Sequence, residues 1–201
     1  MEKIRGISEA KNRGSKGNYS EAGIKATEIK NKIFAVLGLG RFGGRVAEIA
    51  LDFGADVRYW SQHRKKNFEK TGIKYQDADE LISEADIISL HLAESKETRH
   101  FLNGKRISSI KQGAIIVSTV PNEITDLDAL ERRLKQGDIT FISDHADELD
   151  PKVAKRLSKY ENCILYPPIG YISDEARIAK QEIFLGNVEA FLKGKPTNIV
   201  N

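Results

Sequence analysis

Gly38-Leu39-Gly40-Arg41-Phe42-Gly43 is a G-x-G-x-x-G run placed directly after an apolar pentapeptide and directly before a helix-length amphipathic stretch. Glycines at these offsets do separate jobs when a diphosphate is to be held. Gly38 allows the tight turn, Gly40 lets a pyrophosphate approach the backbone, and Gly43 lets helix and strand pack closely. The free amides and dipole at the helix start would then hold the phosphates. The same run could merely connect two elements, but strand, spacing and helix together favour dinucleotide binding. About 20 residues beyond the loop, NAD-preferring domains carry an Asp or Glu for the adenosine ribose. Here that position is Ser61, with His63, Arg64 and Lys65 just after it. A carboxylate would repel a 2′-phosphate, whereas a hydroxyl and a basic cluster would accept one. NADP is therefore favoured over NAD; the competing reading makes Arg64 and Lys65 the exposed start of a polar loop.

Other reactive residue types carry weaker signals. Asp144, His145, Asp147, Glu148 and Asp150 cluster, and His145 is a weak candidate acid/base. Four acids in seven residues with no cationic neighbour usually mean a solvated loop, and a half-buried histidine at a strand end is the blander reading of His145. His91 near a strand end and His100 in a helical turn read as structural. Cys163 begins an apolar run and reads as core. Nothing has metal-ligand spacing, and a single cysteine excludes an internal disulfide framework.

The elements that must position these residues follow from periodicity. Short apolar runs at 33–37, 57–60, 86–92, 114–117, 139–142 and 163–166 read as strands. Amphipathic stretches at 42–53, 78–85 and 174–192 read as helices. Another runs through Leu130 and Leu134 to Gly137, with Thr125 as its N-cap and Asp128 completing a carboxylate variant of the capping box. Alternation at this spacing predicts right-handed crossovers and a doubly wound α/β domain, its parallel sheet covered on both faces. Residues 1–31 read as an extended or partly helical arm, and 32–201 as a Rossmann-like dinucleotide-binding domain. The arm carries all of the net charge of +3. That excess is too small to imply nucleic acid. No apolar run approaches the ~18–20 residues of a spanning helix, and the polar start lacks a signal-peptide core. These readings place the chain in a reducing cytoplasm, away from membranes.

The blocks GLGRFGGRVA (38–47), ADIISLHLAESKETRHFLN (85–103), KQGAIIVST (111–119), TDLDALERRLKQGDI (125–139) and NVEAFLKGKPTNIVN (187–201) resemble the coenzyme-binding domain of the D-2-hydroxyacid dehydrogenases. This family includes glyoxylate/hydroxypyruvate reductases and phosphoglycerate dehydrogenase. SQHRK (61–65) is similar to the segment in members that use NADPH. The resemblance implies that Asp144 faces the nicotinamide amide. The expected cofactor set is the loop (Gly38, Gly40, Arg41, Phe42, Gly43) and the ribose end (Ser61, His63, Arg64, Lys65). It is completed by Leu92, Thr119, Val120, Asp144 and Gly170.

The family's catalytic set is an Arg that binds the substrate carboxylate, a Glu and an acid/base His. At those positions this sequence has Pro121, Leu149 and Pro168; a one-residue slip would offer Asp150 for the Glu. A proline side chain cannot donate, accept or titrate. The resembling enzymes also build a substrate domain mostly from sequence before the coenzyme domain. The 31 residues here are fewer than the ~40 below which a domain usually needs staples. The expectation is therefore a catalytically degenerate NAD(P)-binding protein acting as a sensor, regulator or partner subunit. A homodimer is expected, with an additional protein partner possible. The alternatives are an oxidoreductase completed by a partner chain or by His145, and a bare interaction module without ligand.

Overall fold

A computed structural model describes residues 1–199; Val200 and Asn201, the end of the last resembling block and of the expected domain, lie outside them. Among the described residues seven strands make one sheet: β1 (Ile33–Leu37), β2 (Asp56–Trp60), β3 (Lys74–Tyr75), β4 (Ile87–Leu90), β5 (Ile115–Ser118), β6 (Thr140–Ser143) and β7 (Cys163–Leu165). The order is β3-β2-β1-β4-β5-β6-β7, and every pairing is parallel. This is the doubly wound, Rossmann-like α/β arrangement that the alternation predicts. Strand order reverses between β1 and β4, where such folds open a ligand crevice.

The helices are α1 (Glu2–Arg5), α2 (Ile7–Ser15), α3 (Arg41–Asp52), α4 (Lys66–Glu69), α5 (Ala78–Glu84), α6 (Gly104–Ser109), α7 (Leu127–Leu134), α8 (Pro151–Leu157) and α9 (Asp174–Leu192). Side-chain alternation sends Ala35, Leu37, Ile88, Leu90, Ile116 and Phe141 into the larger core beneath α5–α8. The smaller core joins Val36, Val57 and Tyr59 to Ala47 and Ala50 of α3. That helix buries only Gly43, Gly44, Ala47 and Ala50. A stripe of small residues is what lets its backbone lie close to the sheet.

Coverage is uneven, which corrects the expectation of a sheet covered on both faces. On the α3 side, Ile87, Ile115, Val117, Ile142 and Ile164 line a groove whose other wall is Ile49 and Phe53 of α3 and Ile4 of the arm. The local crossovers of β4 to β7 all lie on the opposite face, so none can fill it. The arm itself is partly helical. Ile4 is buried, its carbonyl accepts from Thr27 N at 2.9 Å, and Tyr166 O–H donates to Glu2 Oε2 at 3.2 Å. Helix α9 has the expected bounds but buries no residue; Ile183, Phe184, Leu185, Phe191 and Leu192 are exposed.

One cap is corrected. Asp126, not Thr125, caps α7, accepting from Ala129 N at 2.9 Å. Thr125 is extended, bridged to Leu102 and buried, so its backbone is committed to another pairing. Asp150 is likewise more than a loop acid. It caps α8 by accepting from Lys152 N at 2.8 Å, with Pro151 opening the helix. Among the described residues no helix is long and apolar enough to cross a membrane.

Candidate cofactor site

Strand register gathers the candidate residues. Leu37 is level with Trp60 of β2 and with Leu90 of β4; Leu90 is level with Ser118 of β5, and Ser118 with Ser143 of β6. The next residue on each strand is therefore Gly38, Ser61, His91, Thr119 or Asp144, which form a row along the carboxyl edge.

At the centre of the row, Gly38 has φ +99°, and a Cβ there would stand 2.6 Å from the His91 carbonyl oxygen and 2.9 Å from Leu92 N. Only glycine fits both the conformation and the space. A Cβ on Gly43 would meet the Gly38 carbonyl oxygen at 2.0 Å, so the first turn of α3 lies directly on the turn before it. A Cβ on Gly40, by contrast, would meet nothing within 4 Å. Gly40 is the N-cap of α3 and has no side chain to satisfy the first amides. Two glycines are thus closed by protein and the third faces open space, as a cradle for phosphate requires. Arg41 and Phe42 flank that opening, both exposed, with the guanidinium 5.2 Å from the ring centroid. Gly44, which lies outside the G-x-G-x-x-G pattern, sits beneath Phe68; a Cβ there would be 2.6 Å from the ring.

Toward β2, Ser61 is buried and its hydroxyl donates to the His63 carbonyl at 2.7 Å. His63, Arg64 and Lys65 are exposed. Arg64 is not a free cation: Nε lies 2.7 Å from Glu69 Oε1 and Nη2 lies 2.8 Å from Oε2. The hydrogen-bonded Arg64 guanidinium holds Glu69 below the usual carboxylate range, and Glu69 raises Arg64 in turn. Nothing in the SQHRK segment signals this partner. Glu69 reaches Arg64 because α4 makes one turn between them, with Phe68 N donating to the Lys65 carbonyl.

Toward β5 and β6, Leu92 and Val120 are buried, Thr119 is exposed, and Thr119 Oγ1 lies 3.4 Å from the Leu90 carbonyl oxygen. Asp144 Oδ1 is buried without a hydrogen-bond partner among the described residues. An acceptor left this way is costly unless something supplies a donor, and a carboxamide N–H₂ is such a donor. Gly170 packs on the same carboxylate; a Cβ there would be 2.6 Å from Asp144 Oδ2. The residues present fit a nicotinamide dinucleotide at both ends. His145 Nδ1 lies 3.2 Å from Glu148 Oε1 without making a hydrogen bond, and Nε2 lies 3.9 Å from Asp144 Oδ1. Asn122, beside Pro121, donates to the His145 carbonyl at 2.9 Å and ties the β5 and β6 connections together.

The remaining candidates are structural. His91 is half-buried with Nε2 2.8 Å from Ser89 Oγ, and His100 sits in a turn at φ +51°. Burial pushes the Cys163 thiol up to about 11, which keeps it protonated and unreactive at neutral pH. Among the described residues no three His, Cys, Asp or Glu side chains group to hold a metal.

An open parallel sheet with a glycine turn and helix start at its reversal point defines a dinucleotide-binding domain. The sequence model of the family described as D-isomer specific 2-hydroxyacid dehydrogenase, NAD binding domain, matches residues 1–170, so the chain belongs to that family. The match includes the arm and ends before α9. The chain is 36% identical over 175 residues to a glyoxylate reductase from Thermococcus litoralis, covering 86% of this chain and 53% of that protein. D-Lactate dehydrogenase from Aquifex aeolicus, solved with NAD and lactic acid, superposes at TM-score 0.86 with 29% identity, over 96% of this chain and 63% of that one. An acyclic imino acid reductase solved with NADPH and D-Arg gives TM-score 0.81 and 29% identity, over 98% and 63%. The chain spans about half the length of the curated relatives it matches.

Proposed function

We propose that this chain holds a nicotinamide dinucleotide, NADP(H) in preference to NAD(H), and does not itself transfer hydride to a 2-oxo acid. It would act as a sensor, a regulator or a partner subunit, with residues 1–31 as its arm and 32–201 as the binding domain, in a reducing cytoplasm. The observation that carries this reading is the contrast along one sheet edge. The glycine cradle and the unpartnered Asp144 Oδ1 are intact, while the resemblance puts Pro121, Pro168 and Leu149, or by a one-residue slip Asp150, where the resembling enzymes place Arg, His and Glu; Asp150 is committed to capping α8.

Titration of the purified protein with NADPH and NADH tests it. Both are expected to bind, NADPH at least as tightly. Ser61→Asp introduces a carboxylate where the ribose would lie and removes the bond to the His63 carbonyl. A like charge some 4 Å from a phosphate costs about 1–4 kcal/mol between the aqueous and near-surface limits. NADPH affinity should therefore fall by roughly fivefold to several hundredfold, and NADH affinity much less. A clear preference of the wild type for NADH, or indifference of NADPH to Ser61→Asp, would contradict the assignment.

A second reading has its own support. His145 stands between Glu148 and Asp144, so an oxidoreductase completed by this histidine or by a partner chain is the alternative, acting on a small 2-hydroxy or 2-oxo acid.

The uncovered sheet face supports a homodimer. Ile115, Val117, Ile142 and Ile164 of the groove are half-buried and α9 buries no residue, so both leave apolar side chains in water, as interaction surfaces do. The arm stays on its own domain, against the expectation that residues 17–30 cross to a second copy: Thr27 N donates to the Ile4 carbonyl and Ile29 packs on the smaller core. Light scattering is expected to give twice the chain mass; a monomer mass at every concentration would remove the dimer from this account.

A further inference from the structure

We propose that Glu69 discriminates between the cofactors: it occupies the edge of Arg64 that a ribose 2′-phosphate would take, and so limits how strongly the site prefers NADPH. The proposal rests on the reading of Ser61 to Lys65 as the ribose-phosphate end of the site.

The contact is a fork on a fork. Arg64 Nε and Nη2 each meet one Glu69 oxygen, at 2.7 and 2.8 Å. Isolated exposed ion pairs contribute little because two long side chains must be held in one geometry. Here the carboxylate is held independently of its cation. Tyr59 O–H donates to Glu69 Oε1 at 2.9 Å, and the same phenol oxygen accepts from Lys65 N at 2.6 Å. The neighbouring Phe68 lies over Gly44, which pins α4 to α3. Glu69 is also the more buried partner, its side chain 22% exposed against 59% for Arg64. Arg64 in turn lies 5.3 Å from the Tyr75 ring centroid, so the guanidinium is held on a second side.

Carboxylate and phosphate present the same pair of acceptor oxygens to the same guanidinium edge. An incoming 2′-phosphate must displace Glu69 from that edge or bind the free one beside a carboxylate of like charge. Either course weakens NADPH and leaves NADH, which lacks the phosphate, untouched. Ser61 supplies the absence of repulsion at the ribose, and Glu69 supplies repulsion a few ångströms away. The balance between them sets the preference.

Glu69→Gln keeps the size and the acceptor for Tyr59 O–H and removes the charge. Calorimetric titration should show NADPH binding tightened roughly three- to tenfold, as expected when one carboxylate is removed from beside a phosphate of about −1.5 to −2 charge. NADH affinity should stay within about twofold. Glu69→Ala should move NADPH in the same direction, so the result does not depend on one variant folding. In an Arg64→Ala background the part of the gain that comes from freeing the fork should vanish, leaving the smaller effect of the removed charge. Weaker NADPH binding in Glu69→Gln would show that the carboxylate positions Arg64 for the phosphate and would overturn the proposal. Equal shifts for both cofactors would make Glu69 merely structural and would overturn it as well. If wild-type NADPH affinity does not respond to Arg64→Ala, the ribose-phosphate reading itself fails, and the role of Glu69 fails with it.

Discussion

Gly43→Ala is expected to lower the melting temperature by several degrees and to abolish measurable dinucleotide binding, whereas Gly40→Ala should abolish binding with the fold nearly intact. The difference lies in what each new methyl group meets. At Gly43 it would stand 2.0 Å from the Gly38 carbonyl oxygen and 3.2 Å from His91 Cβ, both on the strand side of the turn. Neither neighbour is the free end of a flexible side chain, so helix and turn must move apart. Overpacking of this kind costs about 1–3 kcal/mol, and the better helix propensity of alanine returns at most about 1 kcal/mol. A net loss near 2 kcal/mol corresponds to roughly 4–8 °C for a domain of this size. The displacement falls on the first turn of α3, whose amides would hold the phosphates, so binding is lost with it. At Gly40 the methyl group meets nothing, and φ −85° suits any residue. The methyl group there fills the space a pyrophosphate would need. Thermal denaturation and calorimetry on the two variants separate the effects. Equal melting temperatures for Gly43→Ala and wild type would contradict the close packing of α3 on the turn.

How far the sequence foretold this arrangement depended on whether a residue's role is local. The strand Ile33–Leu37, the turn at Gly38 and the closing helix Asp174–Leu192 could be read because each announces itself within a few neighbours: a continuous apolar run, a glycine pattern, a helix-length span. Helices α4 and α6, with four and six residues, are too short for their periodicity to stand out, and α8 directly follows an acidic stretch that reads as a loop. Thr125 looked like a cap because its hydroxyl and Asp128 have the right spacing, but the bridge to Leu102 joins residues far apart in sequence. The same limit applies at the site. The register that aligns Gly38, Ser61, Thr119 and Asp144 follows from strand order and was legible from the family resemblance. The partner of Arg64, the seat of Phe68 over Gly44 and the lack of a donor for Asp144 Oδ1 depend on folded loops and were not. Nor could the open groove be seen, because apolar strand residues look alike whether a helix covers them or not.

The protein is expected to bind NADPH and yet show no oxidation of it that depends on a 2-oxo acid. Reduction of such an acid needs a proton delivered to the carbonyl oxygen as hydride arrives, and general acid catalysis typically contributes ~10²–10⁴-fold. Pro168 has no proton to give. Anchoring a substrate in place can contribute ~7–11 kcal/mol more, and Pro121 offers no charge to a carboxylate. Leu149 is buried among apolar side chains and can neither orient a histidine nor bias its titration. His145 is the one nearby imidazole with carboxylate neighbours, but its Nδ1 lacks a hydrogen bond, so its ring orientation is not fixed in the way an acid/base requires. The most direct measurement is the rate of NADPH oxidation by a concentrated preparation that binds NADPH, against glyoxylate, hydroxypyruvate and pyruvate in turn. The account predicts a rate equal to that without enzyme for every acid. Robust turnover, abolished by His145→Ala, would mean that the chain has built its own acid/base beside Asp144 and would contradict the account at its centre.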